Sequence, residues 1–268
     1  DELNRLLKPY GLQYPIDTST KNRATVGGGI GNNSCGAHSC VYGKTNDQVL
    51  TLDVVLADGT TTRFEELDGA SLAAKLDLPG LEGAIYQNTR EIARRHEAEI
   101  DARYPKIQRR VSGYNLDAAL DEGRINLSDL VVGSEGTLAV VTEARMKVVP
   151  LPTLTGLAVV HCTDIVEAAK ATVVALDHPV SAIELVGNEI IQRCKESIGY
   201  APLLEGMIGE PGALLLVEFY AESDEELQER LTALGADIEG RGLAFATVTM
   251  TGAADQARWW RMRQAGLG

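Results

Sequence analysis

The sequence predicts an α+β protein built in two parts that meet near Pro150. Three observations lead there. Apolar and polar residues alternate with the period of a strand around residues 50–64 and again at 140–148. Pro150 and Pro152 then interrupt the pattern. Beyond them, short apolar strands alternate with segments whose leucines recur at helical spacing.

Residues 2–10 read as a short helix closed by Gly11, followed by an extended stretch through Pro15. Residues 22–47 are glycine-heavy and read as loop. Leu50, Leu52, Val54 and Leu56 then alternate with Thr51, Asp53 and Val55 as one strand. Asp58-Gly59 supplies turn residues, and 60–64 return as its partner. Residues 84–101 form an amphipathic helix, with Ile85, Thr89, Ile92, His96 and Ile100 on the inward stripe. Residues 129–132 are expected to be a strand leading into Gly133-Ser134-Glu135-Gly136-Thr137, a loop between two strands. The next strand places Val140, Thr142, Ala144, Met146 and Val148 on one face and Glu143, Arg145 and Lys147 on the other. Residues 1–150 therefore form the first domain and 151–268 the second.

In the second domain, strands at 157–162, 182–186, 213–220 and 245–250 alternate with helices at 164–177, 187–197, 227–234 and 254–264. That order predicts an antiparallel α+β sandwich of the ferredoxin-like type.

A net charge of −13 and a sequence pI of about 4.8 disfavour nucleic acid and anionic membrane as partners. No apolar run is long enough to span a bilayer, and the start lacks a basic-then-apolar signal pattern. Cys35, Cys40, Cys162 and Cys194 form no disulfide framework or CxxC pair, so the expected setting is a cytoplasmic one. Asp1 in place of Met, and a final Gly266-Leu267-Gly268, suggest that both ends are cut.

Two glycine-rich loops are candidates for ligand contact. The first is Ala24-Thr25-Val26-Gly27-Gly28-Gly29-Ile30-Gly31-Asn32-Asn33-Ser34-Cys35-Gly36; the second is 133–137. Glycines let backbone N–H groups approach a ligand, although each loop alone also reads as a tight turn. The dinucleotide pattern GxGxxG fails, with Asn32 or Ser34 where its third glycine belongs. A P-loop fails too, because His38 stands where its first glycine would precede Gly43-Lys44-Thr45. Cys35, His38 and Cys40 lack the fourth ligand of a structural zinc site, so no metal is expected. His96 reads as a core histidine, and His161 and His178 have no acidic companion in the pattern. Arg109 and Arg110 read equally as carboxylate-steering groups or as a solvated basic patch. Trp259 and Trp260, among Arg258, Arg261 and Arg263, read as a packed helix with one Trp buried.

Residues 24–45, Gly113-Tyr114-Asn115-Leu116-Asp117 and residues 133–143 before Pro150 resemble the FAD-linked oxidases of the vanillyl-alcohol-oxidase-type (PCMH-type) flavin fold. The resemblance is to the glycolate oxidase, D-lactate and D-2-hydroxyglutarate dehydrogenase branch. Arg109-Arg110-Val111-Ser112-Gly113-Tyr114-Asn115-Leu116 is similar to the large bacterial members that join the flavoprotein to an iron–sulfur region. The second domain resembles the family's substrate (cap) domain in texture, ending at 258–266.

The resemblance implies FAD as cofactor and oxidation of a D-2-hydroxy acid to its 2-oxo acid by hydride transfer to the flavin. It places Thr25, Gly27, Gly28, Asn32, Asn33, Ser34 and Gly36 along the flavin. Gly133, Glu135, Gly136 and Thr137 would meet the cofactor, and Val140 and Val141 would lie near its nucleotide side. It also implies that the first half of the flavin domain precedes Asp1, and that the histidine and basic residues usually near the substrate lie elsewhere. No catalytic residue is named, and the isolated chain is expected to hold FAD weakly or not at all. Any iron–sulfur cluster lies in other parts of the parent. The implied partners are a small 2-hydroxy acid, an electron-accepting centre or protein, and a second copy or the missing first half. Two alternatives stay open: a cofactor-free scaffold acting by protein contacts, and a flavin oxidase of sugars or alcohols.

Overall fold

The computed structural model describes residues 1–121 and 123–265. The chain divides into two compact units, Asp1–Pro150 and Leu151–Gly268.

In the first unit α1 (Glu2–Leu7) runs into a 3-10 turn, which Gly11 ends in the left-handed conformation at φ +69°. β1 (Leu12–Gln13) follows. The stretch expected as loop contains three short helices, α2 (Val26–Gly31), α3 (Ser39–Tyr42) and α4 (Thr45–Gln48). Thr25 explains the first of them, since its side chain caps α2 by accepting from the Gly28 N–H. Then come β2 (Val49–Val55), β3 (Thr61–Leu67), α5 (Gly69–Leu76), α6 (Gly80–Arg95), α7 (Glu97–Arg103), α8 (Leu116–Ala119), β4 (Leu120–Asp121), β5 (Arg124–Asn126), α9 (Leu127–Val131), β6 (Val140–Met146) and β7 (Val149–Pro150). β4, β5, β3, β2 and β6 make an antiparallel sheet in that order, while β7 pairs with β1. Leu52, Val54 and Phe64 from the sheet meet Tyr86 of α6 and Leu127 of α9 in one core.

Several expectations are corrected here. Residues 129–132 are not a strand: 129–131 belong to α9. The Asn126 side chain accepts the Ser128 N–H and starts a helical turn in an apolar run too short for its period to distinguish the two. The glycine loop 133–137 therefore joins a helix to a strand. In β2 a bulge separates Val49 from Thr51, so Val49 is buried and Leu50 turns outward. A second irregularity pairs Asp53 with Glu143 but Val54 with Val141, leaving Val140 exposed and Val141 packed on the core. The predicted helix of 84–101 breaks at His96, which is exposed. Its buried face is Gly83, Tyr86, Thr89 and Ala93, one residue round from the predicted stripe. The larger Tyr86 ring, edge-on to Phe64 at 6.1 Å, occupies the core in place of Ile92.

The second unit comprises β8 (Leu154–Cys162), α10 (Ile165–Ala175), β9 (Ala182–Gly187), α11 (Asn188–Glu196), β10 (Ala213–Ala221), α12 (Asp224–Gly240), β11 (Ala246–Met250) and α13 (Ala253–Ala265). The sheet order is β11-β8-β10-β9 with every pairing antiparallel. This is the ferredoxin-like order, with α10 and α12 on one face. Leu227, Leu231 and Leu234 are buried there, and Leu227 presses so close to Gly156 that an added Cβ would lie 2.8 Å from Cδ1. α11 and α13 cover the opposite face, with Trp259 and Met262 buried against Leu157 and Leu214. The unit thus has three layers rather than two, which is why β8 and β10 are buried almost throughout. Arg258 to Ala265 lie in α13, whereas the end of the predicted phrase, Gly266, is outside the described residues.

Candidate cofactor site

The two glycine loops, about a hundred residues apart in sequence, are joined by their backbones. The N–H groups of Gly133 and Glu135 donate to the carbonyls of Ile30 and Gly31, each at 2.9 Å. Gly133 adopts φ +85°, and an added Cβ would come within 3.1 Å of the Asn33 Cβ. The second loop is thus seated on the end of α2.

Asn33 organises the first loop. It is fully buried at φ +48°, a backbone region few non-glycine residues enter, and its Oδ1 accepts the Asn46 N–H at 2.9 Å. Its Nδ2, like the Oδ1 of Asn46, is buried without a partner. The Ser34 carbonyl accepts both the N–H and the hydroxyl of Thr45. Gly36 has no room for a side chain, because a Cβ would lie 2.0 Å from Asp17 Oδ1 and 2.6 Å from its carbonyl oxygen. Thr25, Gly27, Gly28 and Asn32 are exposed on the other side of the loop, as are Glu135, Gly136, Thr137 and Val140 across from the joint. Glu135 also has a positive φ, +52°.

The Gly113–Asp117 phrase braces the second loop. Asn115, 4 % exposed, donates through Nδ2 to the carbonyls of Asp129 at 3.1 Å and Val132 at 3.0 Å. Thr137 Oγ1 donates to the Ser134 carbonyl, so the Tyr114 hydroxyl, 2.9 Å away, is the donor to Thr137. Arg109 and Arg110 are used internally. Arg109 donates to the Gly36 carbonyl at 2.8 Å, and Arg110 binds Asp117 at 2.7 Å while lying over the Tyr104 ring.

Three titratable groups near the loops stand out. His38 binds Asp17, Nδ1 to Oδ2, at 2.7 Å. Burial opposes ionisation of Asp17, but hydrogen bonds and charge from His38 outweigh it and hold the carboxyl below its usual range. Asp129, on α9, goes the other way. Burial raises its pKa to about 7, and Asp47 and Glu66 add to the rise against hydrogen bonds from Asn126 and Asn46. Asp17 and Asp129 carry no motif that singles them out in the sequence. In the second unit, His178 does have an acidic companion, Asp237 at 3.2 Å, which a separation of 59 residues concealed. Cys35 and Cys40 are half-buried thiols, and among the described residues no three His, Cys, Asp or Glu gather as metal ligands.

Two protein-family models match the chain: FAD binding domain over residues 1–65, and FAD linked oxidases, C-terminal domain, over 151–268. Over most of its length the chain thus resembles domains of FAD-linked oxidases. A D-2-hydroxyglutarate dehydrogenase of Pseudomonas putida is 33 % identical, aligned over all of this chain and 27 % of its own length. A glycolate oxidase subunit GlcD of Bacillus subtilis is 31 % identical over 82 % of this chain and 32 % of its own. The chain therefore spans roughly a quarter to a third of these two relatives. A solved alkyldihydroxyacetonephosphate synthase shares the fold, with a TM-score of 0.60 at 18 % identity over 99 % of this chain and 42 % of its own. As the sequence leads one to expect, the chain mixes helices with antiparallel sheets. Among the described residues no helix is long and apolar enough to cross a membrane.

The exposed residues of the joined loops are of kinds that suit a flavin. Gly27 and Gly136 face open space where a Cβ would otherwise project. Val26, Leu138 and Val140 are exposed apolar residues of the same segments, suited to a flat apolar ring. Thr25 and Thr137 set hydroxyls at the two loops.

Proposed function

We propose that the chain serves an FAD-dependent oxidoreductase that converts a D-2-hydroxy acid to the corresponding 2-oxo acid. Residues 1–150 contribute to flavin binding and 151–268 form the substrate-side domain. The single observation that carries this reading is the pair of hydrogen bonds from Gly133 and Glu135 to Ile30 and Gly31, which makes one cradle of the two loops. The proposed substrate class follows from what the names of the relatives share, a 2-hydroxy carboxylate.

When bound, FAD would accept the hydride from the substrate's C2. The work of this chain is positioning. Thr25, Gly27, Gly28, Asn32, Asn33, Ser34 and Gly36 shape one wall of the cradle, with Gly133, Glu135, Gly136 and Thr137 as the other. Val140 continues the second wall along β6, with Val141 packed behind it on the core. Asn115 and Tyr114 hold that wall still, as second-layer supports of groups that touch the cofactor. Electrons leave for a separate acceptor, and any iron–sulfur centre lies outside these residues. The four cysteines, all free, suit a reducing cytoplasm.

The test is anaerobic. The natural full-length polypeptide that carries this chain, loaded with FAD, is mixed in turn with D-2-hydroxyglutarate, D-lactate, glycolate and a sugar. Bleaching of the oxidised flavin by a 2-hydroxy acid is the expected result. Bleaching by the sugar alone, or by none of them, overturns the proposal.

A further inference from the structure

His161 of β8 is fully buried, and both of its ring nitrogens are engaged. Nε2 lies 3.1 Å from the backbone nitrogen of Ile208, and Nδ1 lies 3.0 Å from the carbonyl oxygen of Val159. A backbone N–H only donates and a carbonyl only accepts, so Nε2 is the acceptor and Nδ1 carries the proton. These contacts fix a neutral ring in one tautomer. A second proton, placed on Nε2, would point at the Ile208 N–H and break that bond. Burial favours the neutral ring and holds its pKa below the usual histidine value, against the opposing pull of the Val159 and Ala246 carbonyls.

Ile208 sits in the middle of a flap, residues 205–212, on the sheet face that α11 and α13 cover. Gly206 and Gly209 give the flap its bends, at φ +86° and +62°. Gly209 rests on the Phe245 ring, Met207 packs inward on the core around Trp259, and Ile208 itself is half-exposed. Near the surface, Arg258 donates to the Glu205 carbonyl and Lys195 pairs with Glu210. Glu210, Pro211 and Gly212 form one lip of a cleft of about 440 Å³, opposite Thr163, Asn188 and Gln192. The partners of His161 across the sheet, Leu214 and Ala246, do not titrate. On α13, Arg258 also meets Asp255, Arg263 pairs with Glu184, and Arg261 is exposed, as are Glu189, Arg193 and Glu196 of α11. The Cys162 thiol, next along β8, is pushed up to about 11 and stays protonated in acid. We propose that His161 is the latch of an acid-released flap: a proton on Nε2 frees the Ile208 N–H, and residues 205–212 lift and open the cleft while the strands stay folded.

The hold of the neutral ring on the flap is complete above the ordinary histidine value, about pH 6.5, and is lost as pH falls to the lowered folded value. NMR and amide hydrogen exchange on the full chain test this. At about pH 7.5 the ring is expected to carry its proton on Nδ1. Below about pH 6.5 the protection factor of the Ile208 amide should fall about tenfold per pH unit, one proton per opening, until the folded pKa is reached. The amides of Leu157–Val160 and Leu214–Leu216 should keep their protection over that range. His161→Gln retains an acceptor oxygen but does not titrate, so its Ile208 protection should be independent of pH there. A proton on Nε2 at about pH 7.5, no fall, or a fall shared equally by the two strands overturns the proposal. The same slope in His161→Gln also overturns it, in favour of the flap carboxylates. The ring tautomer and the strand comparison are read on the parent chain, so they decide the matter even if the variant does not fold.

Discussion

Asp129 carries the clearest electrostatic consequence at the level of single residues. Its pKa is raised by burial from the ordinary aspartate value to about 7, so the folded protein favours the protonated acid. The stabilising contribution is complete below the unfolded pKa near 4 and is lost as pH rises through about 7. Asp129→Asn should therefore flatten the fall in stability between about pH 4 and 7, read as urea midpoints across that range. An unchanged pH dependence would show that this carboxyl is solvated. Beside it, Asn115→Ala removes the donor from the Asp129 and Val132 carbonyls, with an expected loss of about 1–3 kcal/mol in urea unfolding. Gly133→Ala adds strain at φ +85° and presses on Asn33, for a loss of at least about 1 kcal/mol. Of these residues, the sequence draws attention to the glycines and to the asparagines of the two motifs, Asn33 and Asn115. Asp17 and Asp129 become notable only when distant segments fold around them, and local composition does not record that.

At the level of elements, periodicity served best where the chain runs without irregularity. The leucines of α12 are buried at the predicted spacing, and Leu234→Ala should cost about 2–5 kcal/mol. Val173→Ala, on the exposed side of α10, should leave the thermal midpoint nearly unchanged. Equal losses for the two would contradict the burial described. Periodicity failed where one residue breaks the count. The bulge beside Leu50 and the shift at Thr142 each turn one apolar residue outward, and no residue type marks either position. In α6 the stripe is rotated by one residue, because the pattern weighed Ile92 above Tyr86. The run 129–132 was too short to tell strand from helix, and its cap, Asn126, was the overlooked signal.

At the scale of the whole molecule, the ordered glycine and asparagine motifs made the flavin fold legible before any geometry. The joining of the two loops was not legible, because it depends on backbone hydrogen bonds across about a hundred residues. That joint makes one cradle of residues 25–36 and 133–141, which we propose contacts FAD. The most direct measurement is an amide NMR titration of the labelled chain with FAD. The account predicts saturable shifts confined to those two segments and the Tyr114–Asn115 brace, weakened by Gly133→Ala. Shifts at only one of the two loops, shifts elsewhere, or none at saturating FAD would contradict it.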